Sequence, residues 1–387
     1  MCLKAFARSG KPRWTGLVRS IGIDPGTRSF SVFGLEDGRP FLDEDVPSDE
    51  VARDPDVLLD LLEEAEPDII VGPSGYGLPL KWAHELTEED LFLLVLRKPE
   101  DKGIPVLEGL VEMARRAGRR RMPMIFIPSV IQMPTVPRYR KLNRIDMGTA
   151  DKLAVTVLAI QECSEVHGLS YGEVDLIVVE AGGAYTSLMA VKDGRIVDGI
   201  GGSQGALGYM SHGRMDGEVA YLYGGFPKIR LFEGGVIDIA SDRSLRPEEW
   251  PFRAREDERA RDAWELFFEE VEKFARALTA SVPEPVEIVL SGRLTDVPEV
   301  RAEMERRLSS IAPVRKLVGF GARAKTPAQG EAVIGDGLVG GRYKELVEHV
   351  GIRGAKGTVL DYVLIGSWPE VLKRYGVKAR LVYGGGG

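Results

Sequence analysis

The stretch VRSIGIDPGTRSFSVFGLEDG, residues 18–38, constrains what this chain can fold into more than any other. Val18 to Ile23 alternates as an apolar strand, which Asp24-Pro25-Gly26-Thr27 ends abruptly. Phe30 to Leu35 is β-rich again, and Glu36-Asp37-Gly38 closes it with a turn signal. The product is a strand, a tight glycine turn carrying a carboxylate and two hydroxyls (Thr27 and Ser29), and a returning strand. Small residues let backbone N–H groups approach a phosphate, and Asp24 stands where a phosphate-bound Mg²⁺ would sit. The same residues also suit an inert hairpin. Repetition of the device elsewhere in the chain decides between the two readings.

The device recurs. Asp175 to Val179 reads as a buried strand, followed by Glu180-Ala181-Gly182-Gly183-Ala184-Tyr185-Thr186, a strand from Ser187 to Val191, and a further strand from Ile196 to Gly199. The two copies lie about one domain length apart, which points to a duplicated architecture. A third glycine turn, Ser291-Gly292-Arg293-Leu294, follows the buried strand Glu287–Leu290 and leads into a helix at 298–308. Such a turn suits close approach of a nucleobase or phosphate to backbone.

Between these turns the chain alternates helix and strand signals. Val51 to Glu66 reads as an acidic amphipathic helix, and residues 68–72 as a short buried strand. The loop 73–79, with Ser74 and Tyr76, lies at that strand's end, where α/β sheets bind ligands. Residues 106–121 form a helix whose terminal arginines complement its dipole. Met124 to Ile131 is a strand. Ala150, Leu153, Ala154, Val157, Leu158 and Ile160 mark the broad apolar face of a long helix. Residues 201–225, which include Ser203 and His212, are glycine-rich and read as a binding loop. Trp264, Phe267, Phe268, Val271, Phe274 and Leu278 form a core stripe on a helix over 255–280. Ala328-Gln329-Gly330-Glu331-Ala332 opens a helix with small residues on one face, suited to tight packing.

At 387 residues the chain is long enough for two or three cores. Its formal charge of −8 argues against a general nucleic-acid binder. No apolar run approaches the ~20 residues of a membrane span. The basic start reads as a flexible arm and the final glycines as a disordered tail. Two cysteines, Cys2 and Cys163, are too few for a metal cluster or a disulfide framework, and suggest a reducing, cytoplasmic setting. The histidines His84, His167, His212 and His349 show no metal-ligand spacing.

With three glycine turns in this order, the chain resembles the superfamily of acetate and sugar kinases, heat-shock chaperone ATPases and actin (ASKHA). IGIDPGTRSFSV resembles its first phosphate loop, VVEAGGAYTSLMAV its second and IVLSGRLTDV its adenosine motif. The helices from Asp146 and Gln329 resemble its two connecting segments. The resemblance implies a two-lobed, actin-like ATPase (ribonuclease H-like) α/β fold, with duplicated mixed sheets, flanking helices and an interlobe cleft for ATP. The boundaries it suggests are a basic arm at 1–17, lobes at 18–150 and 151–350, and an extension at 351–387. Gly194-Arg195-Ile196-Val197-Asp198 and Asp216-Gly217-Glu218 add a likeness to butyrate kinases, closest to the archaeal butyrate-kinase-related group. Acyl kinases of this kind carry Asn where Asp24 stands, whereas sugar kinases carry Asp. Gly292-Arg293 replaces a usual Gly-Gly pair, and Glu180 a usual Asp.

The resemblance implies an ATP- and Mg²⁺-dependent kinase acting on a small molecule, with a short-chain carboxylate as the favoured acceptor. Asp24 and Glu180 would orient Mg²⁺. Gly26, Thr27, Ser29, Gly182, Gly183 and Thr186 would hold phosphates, and Ser291, Gly292 and Arg293 would border the adenosine. Arg28 is the candidate for transition-state charge, or else a surface arginine paired with Glu36 or Asp37. Ser74, Tyr76, Ser203 and His212 are acceptor-side candidates. Asp146 would be the general base for a sugar or polyol acceptor, or else the N-cap of the helix that follows; a carboxylate acceptor is already ionised and needs no base. A regulatory ATP-binding protein, and a relative that has lost nucleotide binding, are the competing classes. A homodimer is expected from the resemblance alone.

Overall fold

Two sheets of matching topology account for the repeated turn. The computed structural model describes residues 17–26, 28–101, 104–378 and 380–383, so Thr27, nearly all of the basic arm and the glycine tail lie outside it. The first sheet contains β1 (Arg19–Pro25), β2 (Ser29–Glu36), β3 (Arg39–Pro47), β4 (Ile69–Val71), β5 (Lys81–Trp82) and β6 (Met124–Phe126), in the order β3-β2-β1-β4-β6-β5. The second contains β7 (Leu176–Ala181), β8 (Thr186–Lys192), β9 (Arg195–Ile200), β10 (Glu287–Ser291) and β11 (Val314–Lys316), in the order β11-β10-β7-β8-β9. Each sheet has a three-stranded antiparallel meander whose first strand is extended by two parallel strands, and the first sheet adds β5 antiparallel to β6 at its edge. β1 corresponds to β7, and the register agrees: Asp24 faces Ser31 as Glu180 faces Ser187.

Two helices join the lobes. Ala150–His167 lies against the inner face of the second sheet, and Thr326–Leu338 packs on it and on β1. Every residue from Pro327 to Leu338 is buried, so this helix is enclosed on all sides. Glycines set its depth. A Cβ on Gly22 would overlap the Ala328 carbonyl and lie 2.6 Å from the Glu331 Cβ, and one on Gly330 would overlap the Ala154 carbonyl. Ser20 Oγ donates to the Ala332 carbonyl at 2.8 Å, fixing the register of helix on strand. The chain therefore returns to the first lobe before residue 350: one core unites that lobe, both connecting helices and residues as far as Val377. The second core lies on the far side of the second sheet, around Trp250, Phe267 and Phe268.

Local differences from the sequence reading have simple causes. Pro55 splits the acidic segment into Ser48–Arg53 and Asp56–Glu64. Residues 250–278 form two helices, Trp250–Glu256 and Glu258–Leu278, with Asp257 capping the second through the Ala260 amide. The arginines ending Pro105–Arg119 pair with Glu112, Asp56 and Asp60, in keeping with a structural role. No helix among the described residues is long and apolar enough to cross a membrane.

Because Gly22 is the contact surface for the enclosed helix, Gly22→Val should destabilise the fold by about 3 kcal/mol or more through overpacking. Thermal and urea denaturation monitored by circular dichroism would measure it. The exposed Gly217→Ala, with open space around it, should change stability little.

Candidate active site

The ends of both meanders and the N-termini of both connecting helices meet at one cleft of about 700 Å³. Its floor repeats the symmetry of the sheets. The Gly26 N–H donates to the Ser29 carbonyl at 3.0 Å, and the Gly182 N–H to the Tyr185 carbonyl at 2.9 Å, so the two turns are closed by the same bond. Gly183 has open space where a Cβ would stand, leaving its backbone accessible from the cleft. The third turn approaches closely from the side. Gly292 has φ +93°, and a Cβ there would lie 2.5 Å from the Ala181 carbonyl carbon and 2.8 Å from Glu180 Oε1.

Charged side chains converge beneath these turns. Asp24, at the end of β1, receives Lys325 Nζ at 3.2 Å, and the same ammonium reaches the Ser29 carbonyl at 3.1 Å. Glu180, at the end of β7, pairs with Lys152 Nζ at 2.7 Å, which also holds Asp151 at 2.7 Å. Asp151 and Lys152 begin the helix Ala150–His167, and Lys325 precedes Thr326–Leu338. Glu331 is fully buried on the latter helix, and neither of its oxygens has a well-formed hydrogen bond. Four carboxylates thus face two ammonium groups, leaving two negative charges in excess when all are ionised.

The electrostatic consequences follow from burial. Desolvation raises the pKa of Asp24 and of Glu180 despite their lysine partners. For Glu331, desolvation and then the charges of Asp24 and Asp151 push it well above the carboxylate range. Burial also works against ionised Asp151, but Lys152 outweighs it and holds that carboxyl low. Lys152 is desolvated as well, yet Asp151 and Glu180 raise its pKa. A site with excess buried negative charge and carboxylate oxygens short of donors fits a hard divalent cation. The accessible glycine backbone beside it fits a polyphosphate.

The other end of the cleft has a different character. Leu94, Val106, Leu107, Leu110 and Phe232 supply apolar wall, with Tyr76, Tyr185, Ser203, Asp146 and Lys228 among its polar groups. Lys228 Nζ lies 3.4 Å from Tyr76 Oη and 4.8 Å from the centre of its ring. Burial pushes its pKa down to about 8, and it has no carboxylate ion pair among the described residues. Burial, with Asp146 nearby, raises that of Tyr76.

Most of the residues singled out from sequence meet here. Asp24, Gly26, Arg28, Ser74, Tyr76, Asp146, Glu180, Gly182, Gly183, Ser203, Ser291, Gly292 and Arg293 all line the cleft. Arg28 is exposed at its mouth; Glu36, one of the partners weighed for it, is taken by Arg19 at 2.6 Å. Ser74 spends its hydroxyl on its own loop, donating to the Gly72 carbonyl and accepting from the Ile127 amide, both at 2.9 Å. Ser29 turns its hydroxyl towards Asp45, Thr186 is buried within β8, and His212 sits outside the cleft beside the Arg214 carbonyl. Asp146 does not cap a helix: the N-cap is Thr149, and Asp146 instead accepts from the Gly148 amide at 3.0 Å and from the Ser203 amide and hydroxyl at 3.1 and 3.0 Å. Asp151, Lys152, Lys228, Lys325 and Glu331 went unmarked in the sequence. The one visible signal was Glu331, a charge within a run otherwise suited to close packing.

Comparison with known proteins agrees with this architecture. A propionate kinase from Francisella tularensis subsp. tularensis SCHU S4 is similar with a TM-score of 0.59 at 13% identity, covering 81% of this chain and 98% of that one. Acetate kinases from Entamoeba histolytica (TM-score 0.55, 9% identity) and Porphyromonas gingivalis (0.53, 14%) each cover 76% of this chain, and 86% and 88% of their own. No curated protein matches the chain significantly. Residues 22–365 match the family described as "Protein of unknown function (DUF1464)". The chain belongs to that family, and its fold is that of the acetate and sugar kinase, heat-shock chaperone and actin superfamily.

Proposed function

We propose that this protein is an ATP- and Mg²⁺-dependent phosphotransferase whose acceptor is a small carboxylate with an apolar body. The observation that carries the reading is the excess of buried carboxylates directly beneath two identically closed glycine turns. When bound, a divalent cation would neutralise charge on the phosphates, the contribution that phosphoryl transfer needs most. Asp24, Glu180 and Glu331 would hold it, with Asp151 kept ionised by Lys152 alongside. The Gly183 amide, which is not used to close its turn, would receive a phosphate oxygen, with Gly26 and Gly182 shaping the backbone around it. Gly292 would let a nucleoside lie against backbone, and Arg293 could stack on its base. Arg28, at the mouth of the cleft, has the charge and reach to meet the transferring group.

Lys228 supports the choice of acceptor. A half-buried ammonium on an aromatic ring, with apolar side chains around it, suits an anionic head on a short hydrocarbon tail. The neighbouring solved structures are described as propionate and acetate kinases, in keeping with that chemistry. A hydroxyl acceptor is the second reading, because Asp146 faces the cleft as a base would. Against it, both Asp146 oxygens already accept hydrogen bonds. A panel of short-chain acids, sugars and polyols, assayed for ADP and for acyl phosphate trapped by hydroxylamine, separates the readings. Acid-dependent acyl phosphate supports ours. Hydroxyl-dependent turnover lost in Asp146→Asn supports the second, and ATP hydrolysis that no acceptor stimulates supports a regulatory ATPase.

Glu331→Gln should lower kcat by at least ~100-fold, because a carboxyl that would ionise against the cation is removed, while leaving the protein folded. In EDTA it should also flatten the pH dependence of stability. A carboxyl with a higher pKa when folded keeps its proton better in the native state, so stability falls as pH rises from near 4.5 through the folded value. Melting curves of both forms between pH 5 and 8 would show the wild type losing more. For Lys228, the charged form is present below about 8, so kcat/KM for the acid should fall about tenfold per unit above that pH. Lys228→Met should raise KM for the acid, leave KM for ATP unchanged and abolish that pH limb.

A further inference from the structure

A second cluster of potential ligands lies at the opposite end of the helix Ala150–His167 from the cleft. Cys163 is fully buried on this helix, and His167 follows it by one turn at the same face. Glu287, the buried first residue of β10, comes to meet them. One ligand atom from each of Cys163, His167 and Glu287 lies within 4.8 Å of the others, and His167 Nε2 is 3.1 Å from Glu287 Oε2. Counting cysteines and histidines separately hides this pair.

We infer that Cys163, His167 and Glu287 form a zinc site that ties the connecting helix to the second sheet. Bonds of roughly 2.0–2.3 Å from one ion require ligand atoms about 3–4 Å apart, within reach of the separations found. The donors are one sulfur, one nitrogen and one oxygen, a set that suits zinc rather than magnesium or calcium. The surroundings already hold the carboxylate in place. Arg315 donates to Glu287 Oε1 at 2.7 Å and Oε2 at 3.0 Å, and Glu162 in turn pairs with Arg315 and accepts from the amides of Val318 and Gly319 at 3.1 and 2.6 Å. Oε2 would turn from His167 to the ion while Oε1 kept its arginine.

Charge balance agrees. The charged groups gathered around the cluster are Glu287, Glu162 and Arg315, beside the buried Cys163 thiol. Glu287 and Glu162 then outweigh Arg315 by one negative charge. Zinc binding would release the thiol proton to solvent, form Zn–S, Zn–N and Zn–O bonds, and leave the group neutral. The His167 side chain is 37% exposed, which gives the ion a path in and a water its fourth position. This site is separate from the proposed nucleotide cleft, so its ligands can be changed without touching that machinery.

Cobalt(II), titrated into the full chain with excess Mg²⁺ present, tests the assignment. One equivalent should bind with a thiolate-to-cobalt band in the near ultraviolet and tetrahedral bands in the visible, should be displaced by Zn²⁺, and should raise the melting temperature. Cys2→Ser should retain the bands and Cys163→Ser should lose them. His167→Gln, at a part-exposed position that should leave the fold intact, should weaken binding by roughly 100-fold or more. Absence of the bands in the wild type, their survival in Cys163→Ser, or unchanged affinity in His167→Gln would each overturn the site.

Discussion

The structure depends on how closely the helix Thr326–Leu338 approaches β1. Gly22 and Gly330 remove the atoms that would hold strand and helices apart, and the gap closes onto the Glu331 side chain. Glu331 is thereby carried under the first glycine turn, fully buried and with neither oxygen in a well-formed hydrogen bond. Burying a carboxylate this way is unfavourable in isolation. It becomes intelligible once the neighbours are counted, because Asp24, Asp151 and Glu180 share the same floor, with Lys152 and Lys325 as their ion-pair partners among the described residues. The fold concentrates negative charge where a cation and a polyphosphate would neutralise each other.

Duplication supplies the frame for that concentration. Each sheet ends its first strand in a carboxylate and a glycine turn closed by the same hydrogen bond, so the two turns face one another across the cleft as related surfaces. The connecting helices then deliver one lysine to each turn: Lys325 to the first and Lys152 to the second. Symmetry stops there. The apolar end of the cleft is built from unrelated loops, with Lys228 and Phe232 from the second lobe meeting Tyr76, Leu94 and Leu107 from the first. Asp146 joins the lobes on this side by gripping the Ser203 loop, and Gln204 returns a hydrogen bond to the Asp146 carbonyl.

Sequence alone carried the parts of this picture that depend on local pattern. The paired strand–turn–strand units, the aromatic stripe around Phe267 and the glycine turn at Ser291 are all contiguous, and their periodicity exposes them. What escaped was made by tertiary contact. Asp151 and Lys152 look like ordinary polar residues at a helix start, and Lys325 like a lysine before a proline. Only the packing of the two helices brings them under the turns. Asp146 looked like a helix cap because an acid before a helix usually is one, yet the helix begins later and its carboxylate reaches another lobe. Ser29, Thr186 and His212 were placed by motif position, but the strand pleat and a neighbouring acid direct their side chains elsewhere.

The central claim is that the carboxylate-rich floor makes nucleotide binding depend on a divalent cation. Isothermal titration calorimetry with ADP, run with Mg²⁺ and again in EDTA, measures that dependence directly. The account predicts one binding event per chain with Mg²⁺, weakened by at least ~100-fold in EDTA, since repulsion between the floor and the phosphates is then unscreened. ADP binding of equal strength in EDTA, or no heat under either condition, would contradict it.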